Sequence, residues 1–131
     1  MLLLAGVALA ADLPRTAAPA DAELYFISPR DGETVTSPVT VRFGLRGMGV
    51  APAGIAMEHT GHHHLMIDTG LPSFDLPVPA DAQHLHFGKG QTEATIELAP
   101  GPHRLQLLLG DFRHVPHDPP VISSVIMVTV R

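Results

Sequence analysis

The stretch Gln91–Leu109, QTEATIELAPGPHRLQLLL, is the clearest evidence for the fold class of this chain. In its first half, Ala94, Ile96 and Leu98 alternate with polar residues, which is the period-two pattern of a strand with one buried face. The sequence Ala-Pro-Gly-Pro then forms a turn, and a second apolar run follows it. The stretch therefore predicts two consecutive strands, Gln91–Leu98 and His103–Leu109.

Five further short runs of the same character flank this pair, separated by segments rich in proline and glycine. They predict strands at Leu24–Ser28, Val39–Leu45, His63–Thr69, Gln83–Phe87 and Val121–Val130. Seven short strands with turn signals between them are typical of an immunoglobulin-like sandwich. We therefore predict an all-β, seven-stranded antiparallel β-sandwich that forms a single domain over residues 23–131.

The composition narrows the function classes. A chain of 131 residues that is 45% hydrophobic can bury one core. Its net charge of −5 and its charged fraction of 16% leave no basic face for nucleic acid or for an anionic membrane. The chain has no cysteine, which excludes disulfides, thiolate zinc sites, iron–sulfur clusters and cysteine nucleophiles.

The first residues, MLLLAGVALAAD, have the pattern of an export signal. An apolar run of h-region length precedes Ala8-Leu9-Ala10, which fits the small-x-small cleavage pattern. We predict a signal peptide at residues 1–10 and a flexible leader at residues 11–22. The mature protein is then periplasmic or secreted and does not insert into the membrane. The alternative is that the apolar run forms a first strand.

Histidine is the anomaly of the composition, because the nine histidines outnumber the eight lysines and arginines. Imidazole is the commonest metal ligand among side chains and changes its charge near neutral pH. In a sandwich of alternating strands, the loops after the second, fourth and sixth predicted strands lie at one pole. Eight histidines belong to segments that reach or approach this pole: His59, His62, His63, His64, His84, His86, His114 and His117.

Alternation along the strands sorts these side chains by face, since residues i and i+2 share a face. His62 and His64 point away from the core, and so do His84 and His86, whereas His63 points inward. A His-x-His pair on a strand can offer two nitrogens to one metal, and the segment from His114 to His117 can do the same from a proline-stiffened loop. The predicted metal ligands are therefore His62, His64, His84, His86, His114 and His117, supported by His63, Asp68 and Asp118.

Neutral imidazoles without a thiolate favour Cu(II) or Zn(II), and Cu(I) only if Met48, Met57 or Met66 takes part. The alternative is a hydrogen-bond network without metal, in which the imidazoles and nearby aspartates tie three loops of a non-catalytic envelope or adhesion domain together. His59 and His103 are expected on the surface.

Four linked segments carry a family resemblance: GHHHLMID at 61–68, HFGKGQTEATIEL at 86–98, PGPHRLQLLLGD at 100–111 and HVPHDPPVIS at 114–123. Together they resemble a bacterial family of exported domains of unknown function. The resemblance implies an exported, single-domain β protein without an assigned activity. Its motif residues are here His62, His63, His64, Asp68, His86, Gly88, Gly90, Gln91, His103, His114, His117 and Asp118.

Two weaker resemblances concern shorter segments. The opening FISPRDGETVTSPVTVRFGL at 26–45 resembles the first strands of periplasmic immunoglobulin-like domains, including copper-resistance carriers, which implies a cupredoxin- or copper-carrier-like sandwich. The segment His84–Gly88 weakly resembles a His-x-His-x-x-Gly segment of copper–zinc superoxide dismutases, but its glycine is out of phase and the disulfide of that family cannot form. We therefore predict a non-enzymatic protein whose partner is a metal ion, with an envelope protein as a further candidate.

Overall fold

The structure, a computed structural model, describes residues 14–131, and the predicted signal peptide lies outside them. All seven predicted strands are present in this part of the chain, together with two short additional strands. The strands are β1 Glu23–Ser28, β2 Thr34–Val35, β3 Val39–Arg46, β4 Gly49–Val50, β5 Thr60–Ile67, β6 His84–His86, β7 Glu93–Ile96, β8 Gly101–Gly110 and β9 Ile126–Val130. No helix in residues 14–131 is long and apolar enough to cross a membrane.

The strands form two sheets that pack as a sandwich, which confirms the all-β prediction. The smaller sheet has the order β1-β3-β7, and the larger has the order β2-β9-β8-β5-β4, with β6 paired to β5. The seven predicted strands pair with one another only antiparallel, whereas the two strands that were not predicted, β2 and β4, pair in parallel with β9 and β5. These two-residue strands are too short to show a periodic pattern in the sequence.

The main core lies between the sheets and follows the predicted alternation. Leu65 of β5 and Leu107 of β8 are fully buried there against Val41 and Phe43 of β3. His63 also points into this core, and its ring centroid lies 5.0 Å from that of Phe43. The alternation therefore predicted the inward direction of His63 correctly.

The opposite face of the larger sheet is also buried, because two long connections cover it. The connections join β5 to β6 and β8 to β9. Beneath them, Met66 of β5 and Leu108 of β8 pack against Val78 of the first connection. His62 and His64 lie on the same face of β5 as Met66, so a position that would be exposed in a bare sheet is enclosed here.

Residues 14–22, which were expected to form a flexible leader, pack against the β8–β9 connection. The guanidinium group of Arg15 donates a hydrogen bond to the backbone carbonyl of His117. The hydroxyl of Thr16 donates a hydrogen bond of 2.6 Å to the carboxylate of Asp111. This segment is therefore part of the packed structure and supports the connection that carries His114.

Candidate metal centre

Four histidine side chains from three elements meet on the covered outer face of the larger sheet. His62 and His64 come from β5, His86 comes from β6, and His114 comes from the β8–β9 connection. One ring nitrogen of each lies within 4.8 Å of the corresponding atoms of the other three. The ring centroids are 4.6 to 6.0 Å apart. We call this group the four-histidine cluster.

Strand register explains how three of the four rings come together. His62 and His64 share a face of β5 because side chains two residues apart on a strand point the same way. His86 lies directly opposite His64 in the antiparallel β5–β6 pair, so their side chains are neighbours on that face. His62 lies opposite Gly110, the last residue of β8, from which the chain enters the connection that carries His114.

Asp111 holds this connection in the shape that presents His114. Its carboxylate is buried and accepts hydrogen bonds from the backbone N–H groups of Arg113 and Val115, at 2.8 and 3.1 Å. The Thr16 hydroxyl binds the other carboxylate oxygen. His114 has a φ of 68°, in the left-handed region, which the turn around Asp111 imposes. Asp111 was not among the predicted site residues, although an aspartate that begins a turn directly after a strand is a recognisable signal.

Three rings of the cluster are held in the neutral form. Burial, followed by the neighbouring imidazoles, lowers the pKa of His62 to about 4 and that of His64 to about 3. Burial and the nearby His114 also lower the pKa of His86. A neutral imidazole keeps the lone pair that a metal ion needs, so protons compete only weakly for these three rings at neutral pH.

The spacing of the ring nitrogens fits a metal ion. Nε2 of His62 and Nδ1 of His114 are 3.1 Å apart. Two ligand nitrogens of a tetrahedral centre with metal–nitrogen bonds of about 2.0 Å would be about 3.3 Å apart. The other ring nitrogens lie within 4.8 Å of one another, so the rings would have to move closer together to bring all four nitrogens to one ion. Among the residues that the structure describes, this contact is the only hydrogen bond between rings of the cluster.

Two glycines, which have no Cβ atom, make room for rings of the cluster. A Cβ atom at Gly110 would lie 2.6 Å from Cε1 of His64 and 3.3 Å from the Cα of His114. A Cβ atom at Gly88 would lie 2.2 Å from Cε1 of His86. The contacts of 2.6 and 2.2 Å are too short for a real Cβ atom, so the ring would have to move in each case. Both glycines are therefore required for the observed ring positions.

We expect Gly110→Ala to weaken metal binding by about tenfold or more, which is the usual effect of disturbing the surroundings of a metal ligand. It should also lower the thermal unfolding temperature, because the displaced His64 ring is enclosed. Gly88→Ala should weaken binding with little loss of stability, because His86 is exposed and its ring can swing into solvent.

Gly70→Ala is the matched control for both variants, since its added Cβ would meet nothing within 4 Å. Calorimetric titration with Zn(II) or Cu(II) and thermal unfolding measure the two effects. If Gly110→Ala binds metal as tightly as Gly70→Ala, the ring positions described here do not determine binding.

Two of the six predicted ligands lie outside the cluster. His84 lies opposite Met66 in the β5–β6 pair, and its Nδ1 is 2.7 Å from a carboxylate oxygen of Asp81. His117 is fully buried, and its Nε2 is 3.1 Å from the backbone carbonyl of Thr60. The structure thus brings together His62, His64, His86 and His114 and places these two rings elsewhere.

The three predicted supporting residues also lie away from the cluster. His63 is in the main core, and the side chain of Asp118 is exposed on the β8–β9 connection. Asp68 pairs with His103, whose Nδ1 is 2.7 Å from its carboxylate. The carbonyl of Ala99, 2.7 Å from Nε2, and then this carboxylate raise the pKa of His103.

Of the two histidines expected on the surface, His59 is exposed, with 57% of its side chain accessible. The prediction for His103 was wrong, because its pairing with Asp68 leaves only 13% of its side chain accessible. The pair joins the end of β5 to β8, so His103 contributes to the fold rather than to the surface.

The fold and the cluster together define the class of this protein, a β-sandwich domain with a four-histidine candidate metal site on one covered sheet face. Residues 41–131 match the family described as domain of unknown function DUF4399, and the chain belongs to this family. The match confirms the resemblance found in the sequence and includes all four rings of the cluster. No curated protein and no solved structure shows significant similarity to the chain.

Proposed function

We propose that this chain is an exported, non-catalytic protein that binds one divalent transition-metal ion, Cu(II) or Zn(II). The ligands are the four rings of the cluster. The observation that carries the proposal is the convergence of four ring nitrogens within 4.8 Å of one another, from residues far apart in the sequence. Imidazole nitrogen is a ligand that suits both ions.

The surroundings of the cluster support a divalent ion over Cu(I). Cu(I) prefers thioether or thiolate ligands. Met66 shares the outer face of β5 but packs against Val78 and Leu108, and Met57 is exposed. The buried carboxylate of Asp111 acts on His62, where its charge favours a positive ion. Because Arg113 pairs with the same carboxylate at 3.1 Å, Asp111 offsets only a small part of the charge that a divalent ion would bring.

The apolar run at residues 2–10 and its cleavage pattern support export to the periplasm or beyond the cell. The facing sheets β1-β3-β7 and β2-β9-β8-β5 support an immunoglobulin-like sandwich, and the resemblance of residues 26–45 to copper-resistance carriers supports the copper-carrier kind. A metal-handling role in the cell envelope agrees with both features.

A second candidate function is a scaffold domain of the envelope whose histidines form a structural network. The contact between His62 and His114 favours it, because these rings can share a hydrogen bond without an ion. Four neutral imidazoles, however, carry four N–H groups and four lone pairs. The Nδ1 atoms of His62 and His64 are buried without a hydrogen-bond partner in the part of the chain that the structure describes, whereas a bound ion uses a lone pair from every ring.

The direct test is metal analysis of the tag-free protein, by mass spectrometry, after purification without chelators. The metal-free protein is then titrated with Cu(II) and Zn(II). We expect one ion per chain at saturation. Absence of both retained metal and tight uptake would overturn the proposal and favour the scaffold.

A further inference from the structure

The four-histidine cluster is open on one side. A cavity of about 290 Å³ lies beside it and is bordered by His64, His86, His114 and the segment Pro77–Ala80. His62, which is fully buried, closes the inner side. A metal ion held by the four rings would therefore face protein on one side and the cavity on the other.

The walls of the cavity restrict what can enter it. Apart from the three imidazoles, the lining consists of Pro77, Val78, Pro79 and Ala80, which offer apolar side chains and no lysine or arginine. A polar group in such surroundings needs a partner, and the metal ion would be the strongest one present. The cavity therefore suits a small ligand whose donor atom binds the ion directly.

The charges near the cluster favour a ligand with one negative charge. Neutral imidazoles leave the two positive charges of a divalent ion uncompensated. The buried carboxylate of Asp111 offsets little of this charge, because the guanidinium group of Arg113 already pairs with it at 3.1 Å. An anion bound to the ion would therefore reduce this excess positive charge. A dianion would have to give up more hydration than a monoanion on entering a cavity whose lining holds no cationic side chain, which is costly in an apolar environment.

We propose that the metal-loaded protein binds one small monoanion, of the size of hydroxide, a halide or azide, to the ion from the cavity side. This inference rests on the proposed function and extends it, because an ion with an open ligand position can exchange ligands. The monoanion would be a fifth ligand beside the four rings, whereas structural zinc sites are four-coordinate and closed.

The test is titration of the Cu(II)-loaded protein with sodium azide, followed by absorption spectroscopy. If the protein takes up Zn(II) but not Cu(II), the Co(II)-loaded protein replaces it as the spectroscopic probe. We expect a new charge-transfer band, or a changed Co(II) spectrum, that saturates at one azide per ion. Sodium sulfate, a dianion, should leave the spectrum unchanged.

A pair of matched variants connects the azide site to the cavity. Ala80→Phe should fill part of the cavity and weaken azide binding by about tenfold, equivalent to about 1.4 kcal/mol, without changing the metal stoichiometry. Ala82→Phe makes the same change at an exposed position that does not border the cavity, so its azide affinity should match that of the wild type.

The outcomes separate this inference from the proposed function. If the protein binds one ion but azide leaves the spectrum unchanged, or if Ala80→Phe binds azide as tightly as Ala82→Phe, the open ligand position is wrong and the metal site stands. If none of the ions binds, both proposals fall.

Discussion

His64→Ala is expected to weaken metal binding by more than about 100-fold, because loss of a ligand exceeds the effect of disturbing its surroundings. The His64 ring centroid lies 4.7 Å from that of His62 and 5.2 Å from that of His86, so no other side chain can take its place without rebuilding the site. His86→Ala is the companion variant. Its ring is exposed, so its removal should cost little stability and the variant should fold even if His64→Ala does not.

The matched control for these variants is His84→Ala. His84 belongs to the same His-x-His pair of β6 as His86, but it lies beside Asp81 and outside the cluster. Competition titration against a chelator of known affinity should show unchanged binding for His84→Ala and a large loss for the other two. An equal loss in His84→Ala would mean that the ion is held by a different set of rings.

Strand periodicity predicted much of this cluster. Because side chains alternate, the sequence GHHHLMID determines that His62 and His64 point one way and that His63 points into the core. The same reasoning placed His86 on the outer face of its strand. His114 could be associated with them because connections at one end of a sandwich converge.

Periodicity predicts the face of the strand on which a side chain lies, but not which residue of the neighbouring strand lies opposite it. His84 and His86 are equivalent in the sequence pattern, and only the register of β6 on β5 places His86 opposite His64 and His84 opposite Met66. Long-range pairing determines that register, and the sequence of β6 does not contain it. The separation of the two histidines therefore could not be predicted.

The irregular segments were the least predictable part of the chain. His114 and His117 are only three residues apart, yet the turn around Asp111 directs one ring to the cluster and the other to the backbone of Thr60. Such turns carry no repeating pattern. The composition of residues 14–22 suggested a flexible leader. The sequence could not show that this segment is packed, because its hydrogen bonds are made to residues of the β8–β9 connection about a hundred positions away.

The metal-free protein is expected to lose stability as the pH falls from about 6.5 to about 4. Burial lowers the pKa of His63 from 6.5 to about 4, and neither ring nitrogen has a hydrogen-bond partner. The folded state therefore binds a proton less readily than the unfolded state does. The free energy of unfolding is therefore not reduced by this group above pH 6.5, and it falls as the pH drops towards 4. His63 alone lowers it by about 3 kcal/mol over this range.

Other ionisable side chains also change the stability of the fold with pH, some in the same direction and some in the opposite direction. His62 and His64 also have lowered pKa values, so they add to the loss over the same range and below it. The raised pKa of His103 stabilises the fold at low pH, and this contribution disappears as the pH rises through that pKa. Although burial raises the pKa of the Asp111 carboxyl, hydrogen bonds from Thr16 and the backbone of Arg113 and Val115 lower it below its usual 3.8, so its contribution is lost only as the pH falls below that value.

His63→Leu isolates the contribution of the core histidine, because leucine fills a similar volume beside Phe43 without burying nitrogen atoms. We expect the free energy of unfolding, measured with urea on the metal-free protein, to exceed that of the wild type near pH 7. The difference should grow by about 3 kcal/mol on acidification to pH 4. His59→Asn is the control: His59 is exposed and has a φ of 56°, a conformation that asparagine tolerates. Because its ring is exposed, this variant should follow the pH dependence of the wild type. If His63→Leu instead loses stability in parallel with the wild type on acidification, the assignment of His63 as a buried neutral imidazole is wrong.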